Sequence, residues 1–418
     1  MSAGPLHGIR VLDVTTAWAG PFVGRVLAAL GADVVHVEAA KRMDLWRGGL
    51  TGENPRRYPD GVLGERPYDR TVLFNSQNLN KRSLCIDIKS PGGREALKAA
   101  AANADVIVSN FTPGTLSRMG LDYAELSAIN PRIILVEMPA FGTNGPMAKL
   151  SALGPSMEFS TGMSTFIGYG DGAPTATGPA YLDPIGGYNG AAAIMTALHQ
   201  REQTGRGQYV EISQVEAAMP LIGGLVLGSL ENDEPPCQQG NRQTSSIIHD
   251  AFRCGGSEEW VAINVQTVSE WRSLALLMGR DDLADLDLST EADRARHADQ
   301  LHGAVAAWTE NLDKHWIAPR LQRMGIAAAP VCHGKDVALD PHLHATDFLE
   351  EIEHPEAGLR PYQSLPFRFA ENRPPRLKPA PMLGQHTREV LREWAGLKEA
   401  ELDDLAAQGT TSNDPYRS

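Results

Sequence analysis

Cysteine is scarce in this chain and scattered. Cys85, Cys237, Cys254 and Cys332 are the only four in 418 residues, and no two form a C-x-x-C pair. That spacing argues against a zinc ribbon or a disulfide framework and predicts reduced thiols in a cytoplasmic protein. Positive charge is also in short supply: 38 Lys and Arg against 51 Asp and Glu give a formal net charge of −13. A nucleic-acid binder usually shows a basic face, so that class is disfavoured, although a local basic cluster can still meet an anion. Long apolar runs are missing. The longest, AAMPLIGGLVLGSL at 217–230, is too short for a bilayer and is expected to form a buried helix, so no membrane partner is expected. The start, MSAGPLHGIRVLDVT, lacks the basic segment, apolar core and cleavage site of a secretory signal.

The common catalytic signatures are missing too. The first predicted strand is followed by TTAWAGP, with one glycine, and not by G-x-G-x-x-G. A nicotinamide-dependent oxidoreductase is therefore disfavoured, though Glu38 stands where a ribose-binding acid would lie. Neither a P-loop nor a G-x-S-x-G nucleophile elbow occurs. His333, His342, His344 and His354 are close in sequence, but no H-x-x-x-H or H-E-x-x-H holds them. They are expected to be mostly surface residues, and neither a metal nor a nicotinamide cofactor is expected.

What is present describes a globular α/β protein. The apolar fraction is 42%, and the length implies about two to three domains. GIRVLDV, DVVHVEA, SLCIDI, DVIVSN and IILVEM read as short apolar strands. Helical patterns separate them, in AGPFVGRVLAALGA, in GGREALKAAAANA with Ser90-Pro91 as its start, and in YAELSAIN. Such alternation predicts a parallel sheet with helices on both faces. A helix in GGYNGAAAIMTALHQREQ and a strand in QYVEISQ complete the first part, residues 1–230. A polar stretch at 231–248 reads as a linker into a smaller α+β domain, 231–335. In it AFRCGG and EEWVAINV suggest a hairpin, helices run from about Ser269 to Met324, and IAAAPV is a strand. The segment 336–418 is expected to be extended and proline-rich through 355–382 and to end in a helix in HTREVLREWAGL.

Residues 140–190 are rich in Gly, Pro, Ser and Thr and long for a passive connection, which points to a functional segment. It ends in AYLDPIGGYNGAAA, where Asp183 precedes Pro184 and a helix start almost free of bulky side chains. On local grounds Asp183 is an ordinary helix cap, with Pro184 in the first turn. Lys41 and Arg42 after the second strand and Arg118 after the fourth lie where a parallel sheet binds ligands. They are equally readable as solvated loop charges or as partners of a phosphorylated ligand.

Five blocks together carry a resemblance: GIRVLDVT…AGP…LGADVVHVE, NKRSLCIDIKSPGG, ADVIVSNFTPGTLSRMGLDY, LDPIGGYNGAAAIMTALHQREQTGRGQ and PAPMLGQHTREVL. Over nearly its whole length the chain resembles the family III CoA-transferases, the CaiB/BaiF relatives of formyl-CoA transferase and carnitine CoA-transferase. The resemblance implies a Rossmann-like large domain built from both chain ends, with a smaller α+β domain inserted. It further implies an interlocked homodimer of ring-like chains. The substrates would be acyl-CoA and small carboxylic acids. Asp183 falls on the family's aspartate, a nucleophile that passes through a mixed anhydride and an aspartyl-CoA thioester. Ala17, Trp18, Ala19, Asn110 and Phe111 would contact the coenzyme A chain. Arg118 and Met119 would lie on its nucleotide side, and Lys41 or Arg42 near its phosphates. Gly186 and Gly187 would give close approach or backbone donors.

Two departures stand out. AFRCGGSEEW has only Gly255 and Gly256 where formyl-CoA transferase carries a glycine run that closes over its site, and Trp18 stands where that enzyme has glutamine. Acyl-CoA racemases of the same fold resemble one another in an A-G-H-D block. The stretch here is LSALGPSMEF, with Leu153 and Gly154 at the His and Asp positions, so half of a two-base racemase is missing. A subunit of a hetero-oligomeric transferase is the third alternative.

Overall fold

The computed structural model describes residues 4–48, 54–169, 173–231, 238 and 240–415. Two compact units emerge: Met1–Ser164 with Ala176–Asp233 and His342–Ser418, and Thr165–Thr175 with Glu234–Pro341.

The larger unit is built on six parallel strands: β1 (Arg10–Val14), β2 (Asp33–Glu38), β3 (Arg82–Cys85), β4 (Val106–Ser109), β5 (Ile134–Glu137) and β6 (Tyr209–Glu211). Their order is β3-β2-β1-β4-β5-β6, so the chain reverses direction of growth between β1 and β4. Val11 pairs with Val34 on one side and Val106 on the other, in register through the centre. Strand period then sorts the side chains. Val11, Val34, Val106, Ile134 and Val136 face helices α1 (Ala19–Ala29) and the long Leu182–Thr204. Leu12, Val35, Leu84, Ile107 and Leu135 face α2 (Pro91–Ala101) and the C-terminal helix Thr387–Ala395, anchored by fully buried Trp394. Each such buried aliphatic contributes about 1.5–3 kcal/mol. The expected Ser90 cap is present: its hydroxyl accepts the Gly93 N–H, and Pro91 opens the helix.

The C-terminal segment is fixed to this sheet by polar ties. Arg47, fully buried, donates to Glu38, to Asp69 at 2.7 Å and to the Pro381 carbonyl at 3.1 Å. Gly384 N–H meets the Ser83 hydroxyl at 2.8 Å, and Arg82 bridges Asp33 to Glu389 and Glu393. Glu38, the apparent ribose acid, is thus committed to Arg47 and Ser83.

The smaller unit is a three-stranded antiparallel sheet, β7 (Ile248–Arg253), β8 (Trp260–Val265) and β9 (Ala327–Val331), as the hairpin and IAAAPV patterns imply. Helices Val268–Leu277, Glu291–Thr309 and Lys314–Arg323 cover it around Trp271, whose Nε1 donates to the Leu283 carbonyl at 2.8 Å. Gly255 and Gly256 lie in the β7–β8 turn.

One local expectation changes, and others gain detail. The stretch 217–230 is broken and buried only at Ala218 and Ile222: Pro220 sits in a 3-10 turn, Met219–Ile222, and the helix that follows, Gly223–Glu231, buries no residue. Leu221 is 62% exposed and Leu230 79%, because nothing among the described residues of the larger unit covers that face. Within the stretch 355–382, expected to be extended, residues 358–363 form the strand β11 (Gly358–Gln363), which pairs antiparallel with β10 (Leu349–His354) as a hairpin. His354 is buried, its Nδ1 accepting the Glu356 and Ala357 N–H groups, and burial pushes its pKa down to about 4. Cys237 and most of 231–239 lie outside the described residues. No helix among the described residues is long and apolar enough to cross a membrane.

Candidate active site

A cleft of about 1330 Å³ opens beyond the carboxyl ends of the strands. The loops after β1 and β4 flank the point where the strand order reverses, which is where a sheet of this type leaves room for a ligand. Ala17, Ala19, Lys41, Arg42, Asn110, Phe111, Arg118, Met119 and Asp183 all line it. The sequence-selected residues, distant in the chain, are therefore gathered by the fold.

Asp183 does not cap its helix. The helix α3 (Leu182–Thr204) begins one residue earlier, with Tyr181 as its first flanking residue and no side-chain cap, while Pro184 does sit in the first turn. Freed from capping, the Asp183 carboxylate lies near the backbone N–H of Ala19, at the start of α1, and that N–H and its own both favour the ionised form. Burial is the main reason its pKa rises from 3.8 to about 6; the charge of Glu158 adds to the rise, and the two N–H donors oppose it. Space beside it depends on Gly154. A Cβ there would fall 2.2 Å from Asp183 Oδ2 and 2.4 Å from the Ala180 Cβ, so no side chain fits.

The loop that supplies the Ala19 donor is held from three directions. Asn110 accepts the Thr16 N–H at 3.0 Å and donates to the Thr16 carbonyl at 2.8 Å. Asp44 accepts the Ala17 N–H at 3.0 Å and the Trp46 N–H at 2.7 Å. These bonds keep Ala17 in the left-handed region, φ 65°, where a non-glycine residue is strained. Beneath the loop, Lys81 donates to Asp13 at 2.7 Å and His36 Nδ1 lies 3.3 Å from the same carboxylate, all buried. Burial opposes ionisation of Asp13, but Lys81 and His36 outweigh it and hold the carboxyl well below its usual range.

The segment leading to Asp183 is pinned from the other side. Glu158, on the helix Gly154–Thr161, is fully buried. It accepts the Thr177 N–H at 3.0 Å, the Thr177 hydroxyl at 2.6 Å and the Tyr181 N–H at 2.8 Å. Asp44, Glu158 and Gln214, which also lines the cleft, belong to no motif. A lone acid inside the otherwise uncharged GPSMEFST was the single visible signal.

Three predicted residues serve differently from the simplest reading. Trp18 is half-buried and tilts against Trp46, ring centroids 5.2 Å apart, and it is not among the residues lining the cleft. Gly186 and Gly187 lie past the first turn of α3, where N–H groups bond within the helix. Their missing side chains admit Gln214 at Gly186 and Phe22 with the Ala19 carbonyl at Gly187. The close approach is real, and it is between α3 and its neighbours. Of the basic residues, Lys41 pairs with Asp87 at 2.8 Å, and Arg118 is exposed and bonds Thr115 at 3.0 Å. His333 stands with Glu259 and Asp336, within reach of one another as metal ligands, but Lys314 is already 2.6 Å from both carboxylates.

Sheet order, cleft and half-desolvated carboxylate define a doubly wound α/β protein with its candidate site at the switch point. The family model for CoA-transferase family III matches residues 6–387. Formyl-CoA:oxalate CoA-transferase of Streptomyces coelicolor is 33% identical over 98% of this chain and 100% of its own length. Succinyl-CoA–D-citramalate CoA-transferase of Chloroflexus aurantiacus is 29% identical over 97% of each. A CAIB/BAIF family protein from Brucella suis has a crystal structure that superposes with a TM-score of 0.85 at 27% identity, covering 94% of this chain and 100% of that one. The chain belongs to the family III CoA-transferases and is a transferase.

Proposed function

We propose that the protein moves coenzyme A from an acyl-CoA to a carboxylic acid through covalent intermediates on Asp183. The observation that carries the reading is the Asp183 carboxylate itself, on the cleft wall, desolvated, with a pKa raised to about 6 and a fixed N–H beside it. A carboxylate is a weak nucleophile in water, and partial desolvation strengthens it while leaving it ionised at neutral pH.

An Asp183 oxygen attacks the thioester carbonyl, the C–S bond breaks, and CoA thiolate leaves a mixed anhydride. The thiolate then attacks the aspartyl carbonyl, which releases the donor acid and leaves an aspartyl-CoA thioester. The acceptor carboxylate attacks that thioester and expels thiolate, forming a second anhydride. The thiolate finally takes the acceptor acyl group and frees Asp183. The Ala19 N–H is placed to stabilise negative charge on the aspartyl oxygens at each step. The Ala17–Ala19 loop with Asn110, Phe111 and Met119 would receive the coenzyme's chain, and Arg118, Lys41 and Arg42 its phosphates.

The larger unit, drawn from both chain ends, supports a Rossmann-like domain with an inserted smaller one. The uncovered leucines of 221–230 support a tightly associated, interlocked homodimer, which would cover them. A cytoplasmic setting suits free CoA chemistry.

The test is trapping. Incubation with acyl-CoA followed by hydroxylamine or borohydride should modify Asp183 and abolish transfer. Full transferase activity in Asp183→Ala would sink the proposal.

A further inference from the structure

The cleft is charged at one end and apolar at the other. Its cations, Lys41, Arg42, Lys89, Arg94 and Arg118, all follow β2, β3 or β4. The wall on the Asp183 side comes from later in the chain. Pro139 and Ala140 follow β5, and Leu150, Ala152, Leu153 and Met157 belong to the segment around Gly154. Neighbouring strands are about 4.8 Å apart, so the loops after β3 and β5 start about 19 Å from each other. Arg118, nearest in strand order, is exposed and bonds Thr115 at 3.0 Å. Lys149, beside Leu150 in the chain, is exposed and is not among the residues lining the cleft.

The apolar wall reaches the nucleophile. Leu153 immediately precedes Gly154, the glycine packed on Asp183 Oδ2. Leu150 is 52% exposed and Leu153 62%, although both line the cleft. Large apolar side chains left in water on a concave surface mark a place that a ligand covers. Ser151 adds a hydroxyl, and the only charge among the described residues lining this flank is that of Asp183.

That charge decides what the ligand carries. A second carboxylate on the acyl group would leave water and meet no cation here. It would face Asp183 and the buried Glu158, whose charge already reaches Asp183. A hydrocarbon chain would instead cover Leu150 and Leu153 at no electrostatic cost. We infer that this end of the cleft is an apolar acyl pocket, and that the acids exchanged on Asp183 are monocarboxylic, with a hydrocarbon remainder in place of a second carboxylate. In the scheme above each acid in turn becomes the acyl group on Asp183, so donor and acceptor meet the same wall. This rests on the CoA-transferase reading of the cleft.

Binding without turnover tests it. Asp183→Asn protein is titrated calorimetrically at neutral pH with acetyl-, propionyl-, butyryl- and hexanoyl-CoA. Affinity should rise about two- to fourfold per methylene from acetyl to butyryl. A matched pair follows: succinyl-CoA against 4-methylpentanoyl-CoA, in which an isopropyl group replaces the carboxylate. The branched thioester should bind about tenfold tighter or more. Adding Leu153→Lys, at an exposed position, should bring that ratio to about one or reverse it, with the Kd of free coenzyme A as the control. Equal affinity along the series would leave the leucines to be covered by a second copy of the chain and would overturn the inference. So would succinyl-CoA binding as tightly as its isostere, or a ratio that Leu153→Lys does not move. Each of these leaves the transferase reading intact, whereas binding of neither coenzyme A nor any thioester would overturn both. If Leu153→Lys does not fold, the series and the matched pair with Leu153 in place decide the matter.

Discussion

Replacing Asp183 by asparagine should make the protein more stable while removing its chemistry. The two side chains share a shape, and asparagine keeps an oxygen for the Ala19 N–H. Only the charge differs. In the folded protein, burial and the Glu158 charge hold the Asp183 proton up to about pH 6. In the unfolded chain the group ionises near its ordinary value of 3.8. The folded state therefore binds more proton between those values, and the stability Asp183 contributes is lost as pH rises from about 4 to about 6. A rise of that size corresponds to about 3 kcal/mol, and the part of the side chain that stays in water reduces it to on the order of 1–2 kcal/mol. The Asp183→Asn protein, which has nothing to ionise at this position, escapes this penalty. Paired denaturation curves should coincide near pH 4, diverge toward pH 6 and run parallel above it, with Asp183→Asn the more stable by that amount. Transfer should fall by about a thousandfold or more. An asparagine variant no more stable than the parent at neutral pH would show that the carboxylate is not held in a desolvated state, and the argument for its activation would fail with it.

Gly154→Ala should place a methyl against the Asp183 carboxylate, lowering stability by about 1–3 kcal/mol and kcat by about a hundredfold with little change in CoA affinity, as steady-state kinetics and isothermal titration would read. Glu158→Gln removes the charge that helps raise the Asp183 pKa, so the acid limb of kcat/KM, expected near pH 6, should move down by several tenths of a pH unit. Glu158→Ala should instead strand three donors and cost stability, about 1–3 kcal/mol for each, in urea denaturation. Arg47→Met leaves Glu38 buried without its cation and Asp69 with Arg66 alone, and should destabilise by about 3–5 kcal/mol, releasing the Pro381 segment to proteolysis first.

Much of this architecture is local in origin. Short β-branched runs alternating with capped helices are enough to specify a parallel sheet, because strand and helix periods differ and each can be read within ten residues or so. The capping pair Ser90-Pro91 is likewise local and appears as expected, and α3 ends on a local signal too, the left-handed Gly205. Where local reading failed, a distant surface decided. The apolar 217–230 stretch looks like a core helix, but burial depends on what lies opposite, and among the described residues of the larger unit nothing covers its second half, 223–230.

The site divides along the same line. Residue order alone makes it legible that a carboxylate at 183 opens a helix of small residues, that basic and small residues follow the strands, and that the chain carries the blocks of one enzyme family. It does not reveal that Asp183 leaves the cap and turns to the N–H of Ala19, far earlier in the chain. Nor does it mark Asp44, Glu158 and Gln214, which have no motif because each acts on backbone or on empty space supplied by another part of the chain. Hydrogen-bond partners, desolvation and the gap left by Gly154 are properties of atoms brought together from far apart. They come into being only when the sheet closes its order around β1 and β4, and with them the raised pKa that sets Asp183 apart from other aspartates at helix starts.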